Sequence, residues 1–305
     1  MDWTYLEKLW ERTVKPGGLA DAAENSWSLE IEALYKQGIG MEKTLQFLYR
    51  EKPDLTMFKK WIEAERDPAY SLLATDDEPA LSREDLDFWD ENGYVVLKQV
   101  VSRTDCEAAQ QAILDFLGTS LLDHEGWYKS HSAQGGLMLN FTNHPALNKN
   151  RQTARIRKAY EQLYARKDIV MTIDKVSFNP PETNSFSFRG SPLHWDTSLK
   201  QPIAFSLQGL LYLTDCGPQD GAFHCVPGFH KSIGNWLQQL APDENPREAA
   251  PRSLKAIPVT GQAGDFVIWH AALPHAATAN HGKYPRMVQY LTYLPLGFKE
   301  ETEWI

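Results

Sequence analysis

The sequence predicts an α+β fold in which a small helical segment precedes a β-rich core of sandwich or double-sheet jelly-roll type. Three observations predict it. Residues 1 to about 75 repeat apolar side chains at helical spacing, and beyond about residue 168 short β-branched runs alternate with Gly and Pro turns. No βαβ rhythm and no internal repeat intervenes, which leaves a sheet-on-sheet core. At 305 residues with 42% hydrophobic and 11% aromatic content, the chain is a globular one with enough apolar surface for a large core.

The elements follow in order. Trp3, Leu6, Trp10 and Val14 recur at helical spacing, as do Leu45, Leu48 and Tyr49. Gly17-Gly18 and Gly38 to Gly40 punctuate these helices, and Pro53-Asp54 opens another with Phe58, Trp61 and Ile62 inward. No polar cluster of catalytic type occurs here, so residues 1–75 are read as a packing or dimerisation module that could support a homodimer. Thr75-Asp76-Asp77-Glu78-Pro79 reads as a linker, and residues 76–305 as the main domain. Ser82 with Asp85 forms a capping box, and the helix it opens stops at Asn92-Gly93. A strand is expected over 94–101 and helices over 104–117 and 151–166. Further strands are expected over 169–178, 203–214, 222–226, 264–269 and 287–294.

Composition removes several function classes. Net charge is −9 and no basic run stands out, so neither nucleic acid nor an anionic membrane is an expected partner. Cys106, Cys216 and Cys225 form no CxxC pair and read as reduced structural thiols. The N-terminus has no signal-peptide pattern, and no run approaches the roughly 18 apolar residues of a membrane span, so a soluble cytoplasmic protein is expected. The Rossmann fingerprint, Walker A loop and GxSxG elbow are absent.

Four features of the β-rich half carry chemistry. In Leu193-His194-Trp195-Asp196-Thr197, an imidazole and a carboxylate two residues apart on a strand project to one side and supply two ligands of a facial metal triad. Such a pair alone also arises as a buried His–Asp hydrogen bond. The run Gly264 to His275 holds two candidates for a third ligand, His270 and His275. Arg286 enters an apolar strand eleven residues after His275, where its charge needs an anion and its planar fork suits a dicarboxylate. Finally, Asp220-Gly221-Ala222-Phe223 and Val226-Pro227-Gly228-Phe229-His230-Lys231 read as a strand and a tight turn.

HWD, DGAFHCVPGFHK, GDFVIWHAALPHAATAN and Arg286, in this order and spacing, resemble the phytanoyl-CoA dioxygenase family of iron(II)/2-oxoglutarate oxygenases. The resemblance begins near Leu81, with SREDLDFWDENGYVVLKQVV, and runs to about Leu296. It implies a double-stranded β-helix (cupin-like jelly roll) and an iron(II)-, 2-oxoglutarate- and O2-dependent hydroxylase of a small molecule. It further implies His194, Asp196 and His275 as metal ligands, His270 as structural, and Arg286 on the far carboxylate of 2-oxoglutarate. Gln208, Ser177 and Asn280 are candidate cosubstrate contacts, each with a structural hydrogen bond as its alternative. Ala276-Ala277 stands where many members have Gly-Ser, so Thr278 or Gln208 is expected to take over the missing serine contact. Related halogenases lack the carboxylate that Asp196 supplies, which favours hydroxylation. Arg189 reads as either a substrate contact or a surface cation, and residues 126–141 as either a lid or core. A jelly roll that binds a small ligand with another metal at the same residues is the competing reading.

Overall fold

In the computed structural model, residues 1–15, 27–67, 78–299, 301 and 303–305 are described. The Gly17-Gly18 turn and the expected 75/76 boundary lie outside these residues. Among the described residues four helices lead: α1 (Trp3–Val14), α2 (Trp27–Tyr35), α3 (Met41–Glu51) and α4 (Leu55–Glu65). They share a core of Leu6, Leu9, Ala33, Leu34, Ile39, Leu48, Phe58 and Ile62. Next comes α5 (Arg83–Asn92). Ser82 and Asp85 close its capping box, and Gly93, at φ 74°, ends it in the left-handed conformation that glycine adopts without strain.

Seven antiparallel strands form the large sheet, in the order β1 (Tyr94–Leu97), β9 (Phe266–His270), β6 (Leu207–Tyr212), β11 (Arg286–Tyr290), β5 (Val176–Asn179), β3 (Met138–Leu139) and β2 (Gln134–Gly135). A smaller sheet runs β10 (His275–Ala276), β7 (Phe223–Cys225), β8 (Ile257–Val259). β12 (Tyr293–Pro295) pairs with β4 (Ile169–Met171).

Strand alternation sorts the large sheet's side chains into two cores. Leu207, Leu211, Phe266, Ile268 and Met287 face a core shared with Cys106, Ala109 and Ile113 of α6 (Arg103–Leu117) and with Ile156, Ala159 and Tyr160 of α8 (Ala154–Tyr164). Leu210, Tyr212, Val267, Trp269 and Val288 face the smaller sheet, against Phe223, Cys225, Val259 and Ala276. With both faces covered, these strands read as continuous apolar runs, because no face is left for water. This two-sheet jelly roll with flanking helices is the expected fold class.

Three expectations need correction. The single strand over 169–178 is two, β4 and β5, in different sheets; Thr172 still donates to Thr292 O beside β12, and pairing with β11 begins only at Val176. The strand over 287–294 likewise divides into β11 and β12. The helix over 151–166 is α7 (Pro145–Arg151) followed by α8, since Thr153 takes an extended N-cap conformation between them. Among the described residues, no helix is long and apolar enough to cross a membrane.

Candidate metal centre

The site lies between the two sheets. His275 opens β10, the strand of the small sheet next to β7. His194 is not on a regular strand, as expected, but at an isolated antiparallel bridge to His275. Each donates its backbone N–H to the other's carbonyl, at 3.0 and 2.9 Å. Trp195 points the other way, buried against Phe229 and Trp236 of α9 (Phe229–Gln239), with its Nε1 donating to Ala272 O at 2.9 Å. That burial directs its neighbours His194 and Asp196 to the opposite side.

His194, Asp196 and His275 converge so that one ligand atom from each lies within 4.8 Å of the others. Nδ1–H of His194 donates to Pro192 O at 2.7 Å, and Nδ1–H of His275 to Leu273 O at 3.1 Å. These bonds engage both Nδ1 atoms on the outside and turn both Nε2 atoms inward, where a metal would take their lone pairs in place of a proton. Nε2 of His194 is 3.5 Å from Asp196 Oδ1, and Nε2 of His275 is 3.2 Å from Oδ2. Burial works against ionisation of Asp196, yet hydrogen bonds from the two imidazoles prevail and hold its carboxyl well below the ordinary range. Asp196 in turn raises the His194 imidazole, against the effect of burial. Two inward Nε2 atoms facing a carboxylate are a donor set that a divalent cation completes by displacing the shared protons, and the open cavity beyond leaves room for further ligands.

The triad opens on a cavity of about 800 Å³ that Gln208, Trp269, Phe223, Ala276, Ala277 and Arg286 also line. Arg286 is 2% exposed, and its Nε and Nη1 are buried without a hydrogen-bond partner. Gln208 is hydrogen-bonded at both ends of its amide: its Nε2 donates to Asp196 Oδ2 at 2.8 Å, and its Oε1 accepts from Trp269 Nε1 at 3.0 Å. Ser177 is fully buried beside Val288 with its hydroxyl unpartnered. Asn280 ties its loop to the end of β5, donating to Asn179 O and Tyr284 O and accepting from Gly282 N. Thr278 is turned to Ala222 O. Ser177, Asn280 and Thr278 are not among the described cavity-lining residues.

His270 stands apart from the triad, stacked near Trp89, Phe205 and His230, with burial and the neighbouring His230 pushing its imidazole down to about 4. His230 holds the Gly93 turn through Nε2 to Asp90 O. Arg189 lines the cavity from an exposed loop, its guanidinium 4.9 Å from the Phe186 ring. Of the segment 126–141, Trp127 is core, while Gly135 to Met138 line the cavity.

Sequence reasoning missed three things. Arg247, at the start of α10 (Pro246–Ser253), donates to Trp195 O at 2.8 Å and Thr197 O at 2.7 Å, and so clamps the backbone on both sides of Asp196. Asn179 pairs across the ladder with Arg286 and keeps a buried Oδ1 unpartnered. The start of α3 also lines the cavity. The first two carry signals only in hindsight, a cation after a helix-opening Pro and an Asn ending an apolar strand.

Known proteins resemble this chain in sequence and in fold. The chain resembles a Dictyostelium discoideum protein whose name assigns it provisionally to the phytanoyl-CoA dioxygenases, with 22% identity over 261 residues, 68% of this chain and 74% of that protein. The fold is similar to that of HygX from Streptomyces hygroscopicus, solved with nickel and 2-oxoglutarate bound, at TM-score 0.52 and 18% identity over 73% of this chain and 90% of that one. It is also similar to that of EctD from S. alaskensis, solved with 2-oxoglutarate and 5-hydroxyectoine, at TM-score 0.53 and 17% identity over 77% and 83% of the two chains. The sequence profile described as Phytanoyl-CoA dioxygenase (PhyH) matches residues 89–288, more than half of the chain, and so the chain belongs to the phytanoyl-CoA dioxygenase family.

Proposed function

We propose that this chain is an iron(II)- and 2-oxoglutarate-dependent dioxygenase that hydroxylates a C–H bond of a small molecule, in a domain spanning residues 76–305. One observation carries the reading: a His–Asp–His cluster and a buried arginine with orphaned donors line the same cavity. His194, Asp196 and His275 are proposed to hold the metal, and Arg286 the far carboxylate of the cosubstrate. Bound together, iron(II) and 2-oxoglutarate supply the activation of O2, and 2-oxoglutarate leaves as succinate and CO2.

The chain's own share is positioning. The Pro192 and Leu273 carbonyls orient the two imidazoles, and Gln208, itself held by Trp269, fixes the rotation of the Asp196 carboxylate. Arg286 offers unpaired N–H groups to an incoming carboxylate, a charge-assisted contact that its burial strengthens. Phe223 and Trp269 pack around His275 at ring-centroid distances of 5.8 and 5.2 Å and keep water from that side of the triad. The retained Asp196 carboxylate favours hydroxylation.

The test is to incubate iron(II)-loaded protein with 2-oxoglutarate and O2 and to measure succinate. Succinate release that requires all three supports the proposal. Metal binding at the triad with no 2-oxoglutarate binding and no succinate refutes it in favour of a differently metallated, ligand-binding jelly roll.

A further inference from the structure

The leading helices lie outside the family match, which begins at residue 89, yet α3 reaches the cavity that the triad opens on. Gly40, Met41, Glu42, Lys43 and Leu45 line it together with His194, Asp196 and His275. The contact is close. A Cβ on Gly40 would lie 3.2 Å from Ile173 Cγ2, tighter than side chains normally approach. Glu42 bridges two segments of the jelly roll: it accepts from Asn140 Nδ2, just after β3, at 2.8 Å and pairs with Lys175 Nζ, just before β5, at 2.6 Å. On α2, Glu32 accepts from the Gly297 backbone at 3.1 Å, and Tyr35 packs against the large core.

The charges that α3 brings to the cavity are therefore already engaged, Glu42 in docking on Lys175 and Lys43 with Glu65 of α4 inside the helical module. What it offers a ligand is Met41 and Leu45, one helical turn apart and half-buried. Leu137, Met138 and Ile173 continue that apolar surface from the jelly roll. The cavity, at about 800 Å³, falls in the range of sites for drug-sized ligands and exceeds what a five-carbon dicarboxylate fills.

We propose that the N-terminal helices form the substrate-selecting wall of this cavity, with Met41 and Leu45 as specificity-determining side chains and Glu42 as the clamp that seats them. The substrate class is a small molecule with an apolar body. This rests on reading the cavity as the active site. It also replaces the expectation of a mere packing module, because α3 contributes lining residues and not only an outer face.

The test uses full-length, iron(II)-loaded protein and the neutral apolar fluorophore N-phenyl-1-naphthylamine. Saturable fluorescence enhancement is expected, with slowed amide exchange at residues 40–45 when the probe is bound. Met41→Trp and Leu45→Trp overfill the wall and should weaken binding about tenfold or more. Met57→Trp, at an exposed position on α4, should not. Glu42→Gln, which loses its charge for Lys175, should speed exchange at 40–45 in the free protein. No saturable binding, or binding that leaves 40–45 exchange unchanged, overturns the proposal, and the exchange result stands even where a Trp variant misfolds. Titrating the same wild-type sample with 2-oxoglutarate under nitrogen separates the two readings. Probe binding without 2-oxoglutarate binding refutes the oxygenase and leaves the wall. The reverse refutes the wall alone.

Discussion

Arg286 offers a test in which two measurements move in opposite directions. Arg286 is 2% exposed, with Nε and Nη1 buried and unpartnered, so the cosubstrate-free protein leaves two donors unmade on a cation whose company is the Tyr212 ring, 5.7 Å away. Each orphaned donor costs about 1–3 kcal/mol. Arg286→Met removes both donors at similar length and should stabilise the free protein by roughly 2 kcal/mol, a rise in Tm of several degrees. The same change should abolish tight 2-oxoglutarate binding. Breaking a buried charge pair costs about 3–5 kcal/mol, or roughly two to three and a half powers of ten in affinity. In the wild type, 2-oxoglutarate at about 100 times its Kd should add about 2.7 kcal/mol of stability, and in the variant almost none. The assay is thermal unfolding of iron(II)-loaded, oxygen-free protein with and without 2-oxoglutarate, alongside an absorbance titration of the metal charge-transfer band. A variant less stable than wild type when free, yet equally stabilised by 2-oxoglutarate, would refute the reasoning, since Arg286 would then be a structural cation. Arg286→Lys should recover only part of the affinity, because an ammonium lacks the planar fork.

Other outcomes follow from the same geometry. His275→Ala should abolish stoichiometric iron(II) binding measured by metal analysis after gel filtration, whereas His270→Ala should retain it; the reverse pattern would exchange their roles. Gln208→Leu frees the Asp196 carboxylate to rotate and should weaken iron(II) about tenfold in a competition titration, with unchanged affinity counting against a positioning role. Arg247→Ala releases the backbone around Asp196 and should act in the same direction, visible as a changed cobalt(II) absorption spectrum. Stability should also depend on His270. Its folded imidazole is pushed down to about 4, below the ordinary 6.5 or so of the unfolded chain. The unfolded state therefore binds the extra proton between these values, so this contribution is complete above about pH 6.5 and lost as pH falls toward 4. Urea midpoints at pH 7 and pH 5 should drop in the wild type and drop less in His270→Phe; an equal drop would refute the assignment.

Much of the centre was legible because it is written in short spacings. His194 and Asp196 are two residues apart, and His275 and Arg286 eleven, so local patterns carry them. The two-residue alternation within β6, β9 and β11 then brings Gln208, Trp269 and Arg286 to the same side. Arg247 was not legible, because its partners are backbone carbonyls some 50 residues away, and carbonyls leave no mark on sequence. Gln208 showed only that a polar group sits in an apolar strand; whether its amide meets a carboxylate ligand or a cosubstrate depends on a rotamer. Met41 and Leu45 are ordinary helix residues whose importance comes from the docking of α3, a long-range event. The strand over 169–178 failed for a related reason. β-branched residues continue through Ile173, but the chain changes sheets there, and propensity does not report which partner a strand finds.

The backbone bridge between His194 and His275 has a thermodynamic consequence. Two of the three imidazole and carboxylate donors are joined by reciprocal main-chain hydrogen bonds, so the conformational entropy of bringing them together is lost during folding, not during metal uptake. Such a centre is rigid before it is filled and should take up metal with little rearrangement. The linkage also runs backwards. Any weakening of the short β10–β7 ladder, where His275 pairs with Cys225, separates the ligands before it unfolds the domain. Loss of metal would thus be the first sign of damage there, with the large sheet and its helical core still intact.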